Sequence, residues 1–263
     1  MQLVDINRKN QQLFFSCLWP DLKGMEKVVL ERKKWYQDFH KKGYRAKLLI
    51  NEEGQIAGKC HYVPVEYSPL IGKDLLVILC LYVHLYDHYI GDQRGKGYGR
   101  FMVREIENIA RSEGYGGVAV WAMDWHWNPM SFYVHMGYQE ADRIDKAVVM
   151  WKPFRDMIAP KFNRLHHIKE HTSKVKVVVS DNAWCNGNNK MRVAREAVKD
   201  LKDRVDYFET LCPCHGRMLH LGYVGGIFLD GEPYKPYELV GEPDDLRNAI
   251  LKLYLEKNEP ILP

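Results

Sequence analysis

The sequence predicts an α/β fold in two domains, a larger one over residues 1–153 and a smaller one over 175–263, joined by a connector over 154–174. Three observations carry this. Apolar runs of strand length alternate with amphipathic helical stretches along the chain. The longest of those runs, Leu75 to Val83, is strand-sized and far short of a membrane span. The alternation breaks once, in a polar stretch that carries Pro153, Pro160, His166, His167 and His171. Those histidines read as solvated linker residues, since only His167 and His171 have the i, i+4 spacing that one helical face requires.

The first domain opens with a short strand over Met1 to Ile6. Met25 to Lys41 is a helix whose apolar face holds Val28, Val29, Trp35, Tyr36 and Phe39. Strands over Ala46 to Asn51 and Gln55 to Pro64 flank the turn Glu53-Gly54 and form a hairpin. A strong strand follows over Leu75 to His84. Gly99 to Ser112 is a helix that turns Met102, Ile106, Ile109 and Ala110 inward, and Gly116-Gly117 end it. Val118 to Asp124 is a buried strand, Asn128 to Met136 a short helix with Pro129 in its first turn, and Ala147 to Trp151 the closing strand.

The second domain begins with the β-branched strand Val175 to Ser180 and a loop holding Cys185. Lys190 to Leu201 is a helix with Ala194, Ala197, Val198 and Leu201 inward, and Asp206 to Thr210 is a strand. Gly226 to Leu229 and Tyr237 to Val240 are expected to form a hairpin across Asp230-Gly231. A last helix runs from Pro243 to Lys257, with Asp244 and Asp245 in its first turn.

Composition narrows the function classes. The hydrophobic share is 46%, the charged share 27% and the net charge +4, with no dense Lys/Arg face, so neither nucleic acid nor membrane is an expected partner. Met1 to Asp5 lack a basic and apolar leader, and six cysteines suit a reducing compartment, so the expected location is the cytoplasm. The oligomeric state is left open.

The stretch with most chemical content is Arg94-Gly95-Lys96-Gly97-Tyr98-Gly99-Arg100, between an apolar strand and a helix. Glycines admit close approach, and the unpaired N–H groups of a helix start favour an anion, so a phosphate compound is expected here. A Walker loop is excluded because no Gly-Lys-Ser/Thr follows at the required spacing. A dinucleotide loop is disfavoured, since the glycines are at 95, 97 and 99 and about ten residues separate them from the strand end near His84.

Arg94-x-x-Gly97-x-Gly99, followed by Asn128, Tyr133 and Gly137-Tyr138 in Asn-Pro-Met-Ser-Phe-Tyr-Val-His-Met-Gly-Tyr, resembles the GNAT acyltransferases. The order of strands and helices over 1–153 is similar too, with Leu85 to Asp92 as an insertion before the loop. The resemblance implies a GNAT fold with a mixed central sheet, and direct transfer of an acetyl group from acetyl-CoA to the amine of a small-molecule acceptor, with no metal. It assigns Leu81, Tyr82 and Val83 to the pantetheine arm, and Arg94, Gly95, Lys96, Gly97, Tyr98, Gly99 and Arg100 to the pyrophosphate. Asn128 would bind the cofactor arm or cap the helix, and Tyr133 would protonate the departing thiolate or else be a buried helix tyrosine.

The acceptor side has no motif. Candidate bases are Glu66, His61, His84, Asp87 and His88, with water as the alternative. Trp125 and Trp127, with His126, are candidate walls of an acceptor pocket, while Trp121 reads as core.

The second domain resembles a thioredoxin-like fold, and the two together resemble the YoaP-type proteins. Cys185 stands at the loop-to-helix junction where such folds hold a nucleophilic cysteine, and is a candidate substrate contact. The sequence there is Cys185-Asn-Gly-Asn188, without a resolving cysteine, which argues against dithiol redox chemistry. Cys212-Pro-Cys214-His215, with His220, lacks the paired spacing of a structural zinc site. The alternative to an acetyltransferase is a non-enzymatic sensor or binding module that responds to CoA or a thiol.

Overall fold

The computed structural model describes residues 1–258 except 20, 22, 24–25, 125–127, 145, 163–171, 182–189, 212–225 and 235–240. Described residues 1–162 make one compact unit and 172–258 another.

In chain order the first unit holds β1 (Gln2–Asp5), α1 (Gln11–Phe15), α2 (Glu26–His40), β2 (Arg45–Ile50), β3 (Ile56–Pro64), β4 (Leu70–Ile71) and β5 (Leu75–Val83). It continues with α3 (Tyr98–Ser112), β6 (Gly117–Met123), α4 (Met130–His135), β7 (Gln139–Ile144), β8 (Ala147–Pro153) and β9 (Lys161–Phe162). Seven strands form one sheet in the order β1-β2-β3-β5-β6-β8-β7. Every ladder in it is antiparallel except β5–β6, which α3 connects as a crossover. β9 pairs with β4, so the first unit extends past residue 153.

The two faces of the sheet carry different side chains because a strand alternates. On one face Cys60, Tyr62, Leu76 and Ile78 pack with Met102, Val103 and Ile106 of α3 and Tyr133 of α4. On the other, His61 meets the rings of Phe14 in α1 and Tyr44 before β2. α3 forms because apolar residues recur at positions 102, 103, 106 and 110, all buried. Glu107, also buried, accepts hydrogen bonds from Lys152 Nζ at 3.0 and 3.1 Å, and the same ammonium donates to the Met136 carbonyl at 2.9 Å. That cation ties α3, the end of α4 and β8 together.

The second unit has β10 (Val175–Asp181), α5 (Lys190–Val198), β11 (Val205–Leu211), β12 (Gly226–Leu229), β13 (Glu232–Tyr234) and α6 (Pro243–Asn258). Its sheet runs β11-β10-β12-β13, with β10 parallel to β11 and antiparallel to β12. Val175, Val177 and Val179 pack against Val193, Ala194 and Ala197 of α5 and Leu246 and Ile250 of α6. No helix among the described residues is long and apolar enough to cross a membrane.

Two expectations need correction. The hairpin across Asp230-Gly231 closes at once onto Glu232–Tyr234, with Leu229 opposite Glu232, instead of onto residues 237–240. Asp230 and Gly231 both have positive φ, 48° and 88°, the two-residue turn that continues directly into its partner strand. Residues 237–240 lie outside the described part. Pro129 is the N-cap of α4, with extended φ −69° and ψ 132°, and not a first-turn residue. β7 and the β4–β9 pair went unread, since Gln139–Ile144 is rich in charge and the other two are dipeptides.

Candidate active site

The site starts from an irregularity in β5. His61 pairs with Cys80 but Tyr62 pairs with Ile78, so Leu79 is an extra residue, a β-bulge. On the other edge of β5 the parallel ladder to β6 covers only Leu75 to Ile78. The two strands therefore part where the bulge bends β5. Residues 75–79 are buried, whereas Cys80, Leu81, Tyr82 and Val83 are half-buried. Past the bulge, the backbone edge of Leu81–Val83 toward β6 carries no ladder among the described residues, and such an edge suits another extended chain carrying amides.

The glycine stretch lies beyond the end of this strand. Gly95 and Gly97 have φ of 77° and 85°, a conformation that side chains disfavour, and a Cβ on either would meet nothing within 4 Å. Gly97 is the N-cap of α3 and offers no side-chain cap, and the first backbone bond of the helix runs from Phe101 N–H to Gly97 carbonyl. The N–H groups just before it point outward at the positive end of a 15-residue helix. A Cβ at Gly99 would lie 3.7 Å from Leu81 and 3.4 Å from Phe132, which puts β5, α3 and α4 side by side.

The side chains of this loop divide by role. Arg94 forms a fork with Asp92, at 3.0 Å from Nε and 2.6 Å from Nη2, and the Arg94 N–H donates to the same carboxylate at 2.9 Å. Those bonds hold the Asp92 carboxyl down at about 2. Lys96 Nζ donates to Gln93 Oε1 at 3.0 Å, and Tyr98 is buried with its hydroxyl on Glu52 at 3.0 Å. Only the main chain of Tyr98 faces the loop's open side. Arg100 is exposed and has no ion pair among the described residues.

Tyr133 and Asn128 meet. The Tyr133 hydroxyl donates to Asn128 Oδ1 at 2.9 Å, and Asn128 Nδ2 donates to the Trp121 carbonyl at 2.6 Å. Asn128 has φ 54°, and its carbonyl accepts from Met123 N–H at 3.0 Å, which locks it to the end of β6. Tyr133 is fully buried, and burial first, then the Cys80 thiol, pushes its phenol up. It is a proton holder at neutral pH.

The five candidate bases sort by surroundings. Glu66, Asp87 and His88 are exposed. His84 is buried at the end of β5, and its Nδ1 lies 3.1 Å from the Gly91 carbonyl. A carbonyl only accepts, so that bond puts a proton on Nδ1; in the neutral ring Nε2 then keeps a lone pair, buried and without a partner among the described residues. His61 is buried with neither nitrogen partnered. Burial first, then Lys59 and Arg32, keep it neutral. Arg32 and Lys59 escaped the sequence reading, although a lysine inside the apolar strand Ile56–Pro64 was a visible signal. The candidate contacts Trp125, Trp127 and Cys185 lie outside the described residues, as do Cys212 and Cys214.

Residues 11–138 match the family model described as Acetyltransferase (GNAT) family. No curated protein matches the chain. Among solved structures, a GNAT-family acetyltransferase from Staphylococcus aureus has a TM-score of 0.44 at 12% identity, covering 59% of this chain and 99% of its own. The PaiA N-acetyltransferase of Thermoplasma acidophilum, solved with coenzyme A, gives 0.41 at 12%, covering 58% and 98%. YhbS of Escherichia coli, a GNAT N-acetyltransferase also solved with CoA, gives 0.42 at 15%, covering 62% and 89%. Over residues 11–138 the chain is similar to the acetyltransferases of the GNAT family.

Proposed function

We propose that this domain moves the acetyl group of acetyl-CoA directly onto the amine of a small molecule. The observation that carries the reading is the parting of β5 from β6 at Leu79, beside a glycine loop that opens a helix. The pyrophosphate would take the N–H groups of Gly95 to Arg100, with Arg94, Lys96 and Arg100 supplying positive charge. The pantetheine arm would pair with the free edge at Leu81, Tyr82 and Val83. Its thioester carbonyl would then lie against a β5 N–H that stabilises the oxyanion.

His84 Nε2 takes the proton of the acceptor ammonium, and the neutral amine attacks the thioester carbon. The tetrahedral intermediate collapses, the C–S bond breaks, and Tyr133 protonates the CoA thiolate. Asn128 acts through Tyr133, holding the hydroxyl at the end of β6 until the sulfur arrives. The thiols Cys17, Cys60 and Cys80 suit the reducing cytoplasm. In the second unit, the strand order β11-β10-β12-β13, with a helix after β10 and after the hairpin, supports the thioredoxin-like reading and the YoaP-like arrangement. No redox role is assigned to it.

Mass spectrometry of full-length protein with acetyl-CoA and a panel of amines and amino acids tests the proposal. The expected outcome is one acetylated product with an equal yield of CoA. Measurable acetyl-CoA binding without product from any amine would shift the reading to the sensor module.

A further inference from the structure

On the face of the sheet away from α3, two cations are buried together. Lys59 of β3 is 1% exposed and Arg32 of α2 is 4% exposed. Both reach the end of α1, Lys59 over the Phe14 ring and Arg32 on the carbonyl of the next residue, Phe15, so they share one small volume. Among the described residues no carboxylate pairs with either cation. Arg32 Nη1 donates to the Phe15 carbonyl at 2.6 Å, but Nη2 is buried with no acceptor, and both nitrogens of His61 are likewise unpartnered. The rings of Phe14 and Tyr44 pack on His61, and the Lys59 ammonium stands 4.9 Å over the Phe14 ring.

Two buried cations without counter-ions are costly, and buried donors without acceptors add to that cost. Among the described residues the acid beside them is the Cys17 thiol, which Lys59 and Arg32 draw toward its ionised form against the opposing effect of burial. If ionised, that one thiol would balance one cation. A second negative charge, with oxygens to accept from Arg32 and His61, completes the group.

The position says where that charge comes from. Lys59 is the register partner of Tyr82, and His61 of Cys80, so the cations lie beside the strand residues that part from β6. Adjacent strands are about 4.8 Å apart. A carboxylate on Lys59 and Arg32 would therefore lie on the face of the sheet that Cys80 and Tyr82 share, so an amine on the same small molecule would stay close to β5.

We infer that Arg32 and Lys59 form a carboxylate-binding site and that the acceptor is a small amine bearing a carboxylate, an amino acid or a close relative. The inference rests on the acyl-transfer reading for the word acceptor, but the binding site itself does not. Calorimetry and steady-state kinetics with free amino acids and with their C-terminal amides test it. The expected result is an amino acid that binds at least 30-fold tighter than its amide to the full-length protein, with the same preference in KM.

Lys59→Met removes that preference while acetyl-CoA affinity holds. Cys17→Ser, which removes the competing acidic thiol and keeps the size, tightens the amino acid several-fold, a change that a merely structural role would not produce. Should Lys59→Met fail to fold, Cys17→Ser and the acid–amide comparison decide. Equal binding of acid and amide overturns the inference whether or not turnover is seen. Acid-selective binding without turnover upholds the site and removes the acetyltransferase reading instead.

Discussion

In the proposed reaction Tyr133 is one side chain with two roles, packing and proton donation. Its phenol is buried and holds its proton well past neutrality, and that proton rests on Asn128 Oδ1. Tyr133→Phe should lower kcat about 10- to 100-fold and leave acetyl-CoA affinity nearly unchanged in steady-state assays. It should also cost about 1–2 kcal/mol of stability, because Asn128 loses its donor, a shift visible in denaturant melts. His84→Gln should lower turnover too, but raising the pH should restore it, since the amine then needs no base. An equal deficit at every pH would remove His84 from the mechanism. Asp92 acts in the opposite sense. It occupies Arg94, which a pyrophosphate would otherwise hold, and Asp92→Asn keeps the acceptor for the Arg94 N–H while deleting the charge. The KM for acetyl-CoA should fall about threefold at low salt and the gain should fade as salt rises.

Among the elements, the α3 entrance is where sequence and structure agree most closely. The glycine loop was legible because its physics is local: Gly95 and Gly97 take positive φ, and the helix they open leaves donors unpaired. Gly97→Ala should cost about 1–2 kcal/mol from the backbone alone. The methyl would project into the open side of the loop, so the KM for acetyl-CoA should rise roughly tenfold with kcat kept. A rise no larger than that of an exposed α3 mutant would detach the loop from cofactor binding. The bulge at Leu79 was not legible. Nothing in Val-Ile-Leu-Cys-Leu-Tyr distinguishes an extra residue from the next one in register, and the pairing partners lie about twenty residues away. Arg32 and Lys59 were missed for a similar reason, because their meeting depends on α2 crossing β3. The 232–234 strand was not legible because Glu-Pro-Tyr is short and carries a proline, whereas residues 237–240 include the apolar Leu239 and Val240.

At the scale of the whole molecule, His61 links folding to pH. Burial and the two nearby cations hold its folded value below that of the unfolded chain. Above about pH 6.5 both states are neutral at this residue and its full contribution is present. Below that, the unfolded chain takes up a proton that the folded one refuses, so stability falls with pH, by up to about 1.4 kcal/mol per unit from this group. Denaturant melts at pH 7.5 and 5.5 should show the decline, and His61→Phe should flatten it. An unchanged slope in that variant would mean that other groups carry the acid sensitivity. A protonated His61 would add a third positive charge beside Lys59 and Arg32, which is why the acid limb of stability and the proposed carboxylate site share residues.

The extra residue in β5 has a consequence for how the strand tolerates change. Up to Ile78 the even positions face α3, as Leu76 and Ile78 do; after Leu79 the odd ones do, as Leu81 and Val83 do. Leu79 is thus a parity switch. Deleting it would send Leu81 and Val83 toward Arg32 and Lys59, and Cys80 and Tyr82 into the apolar packing under α3. Substitutions along this segment alter one contact at a time, whereas a change of length by one residue would interchange its two surfaces. Here the invariant quantity is the residue count between Ile78 and Val83.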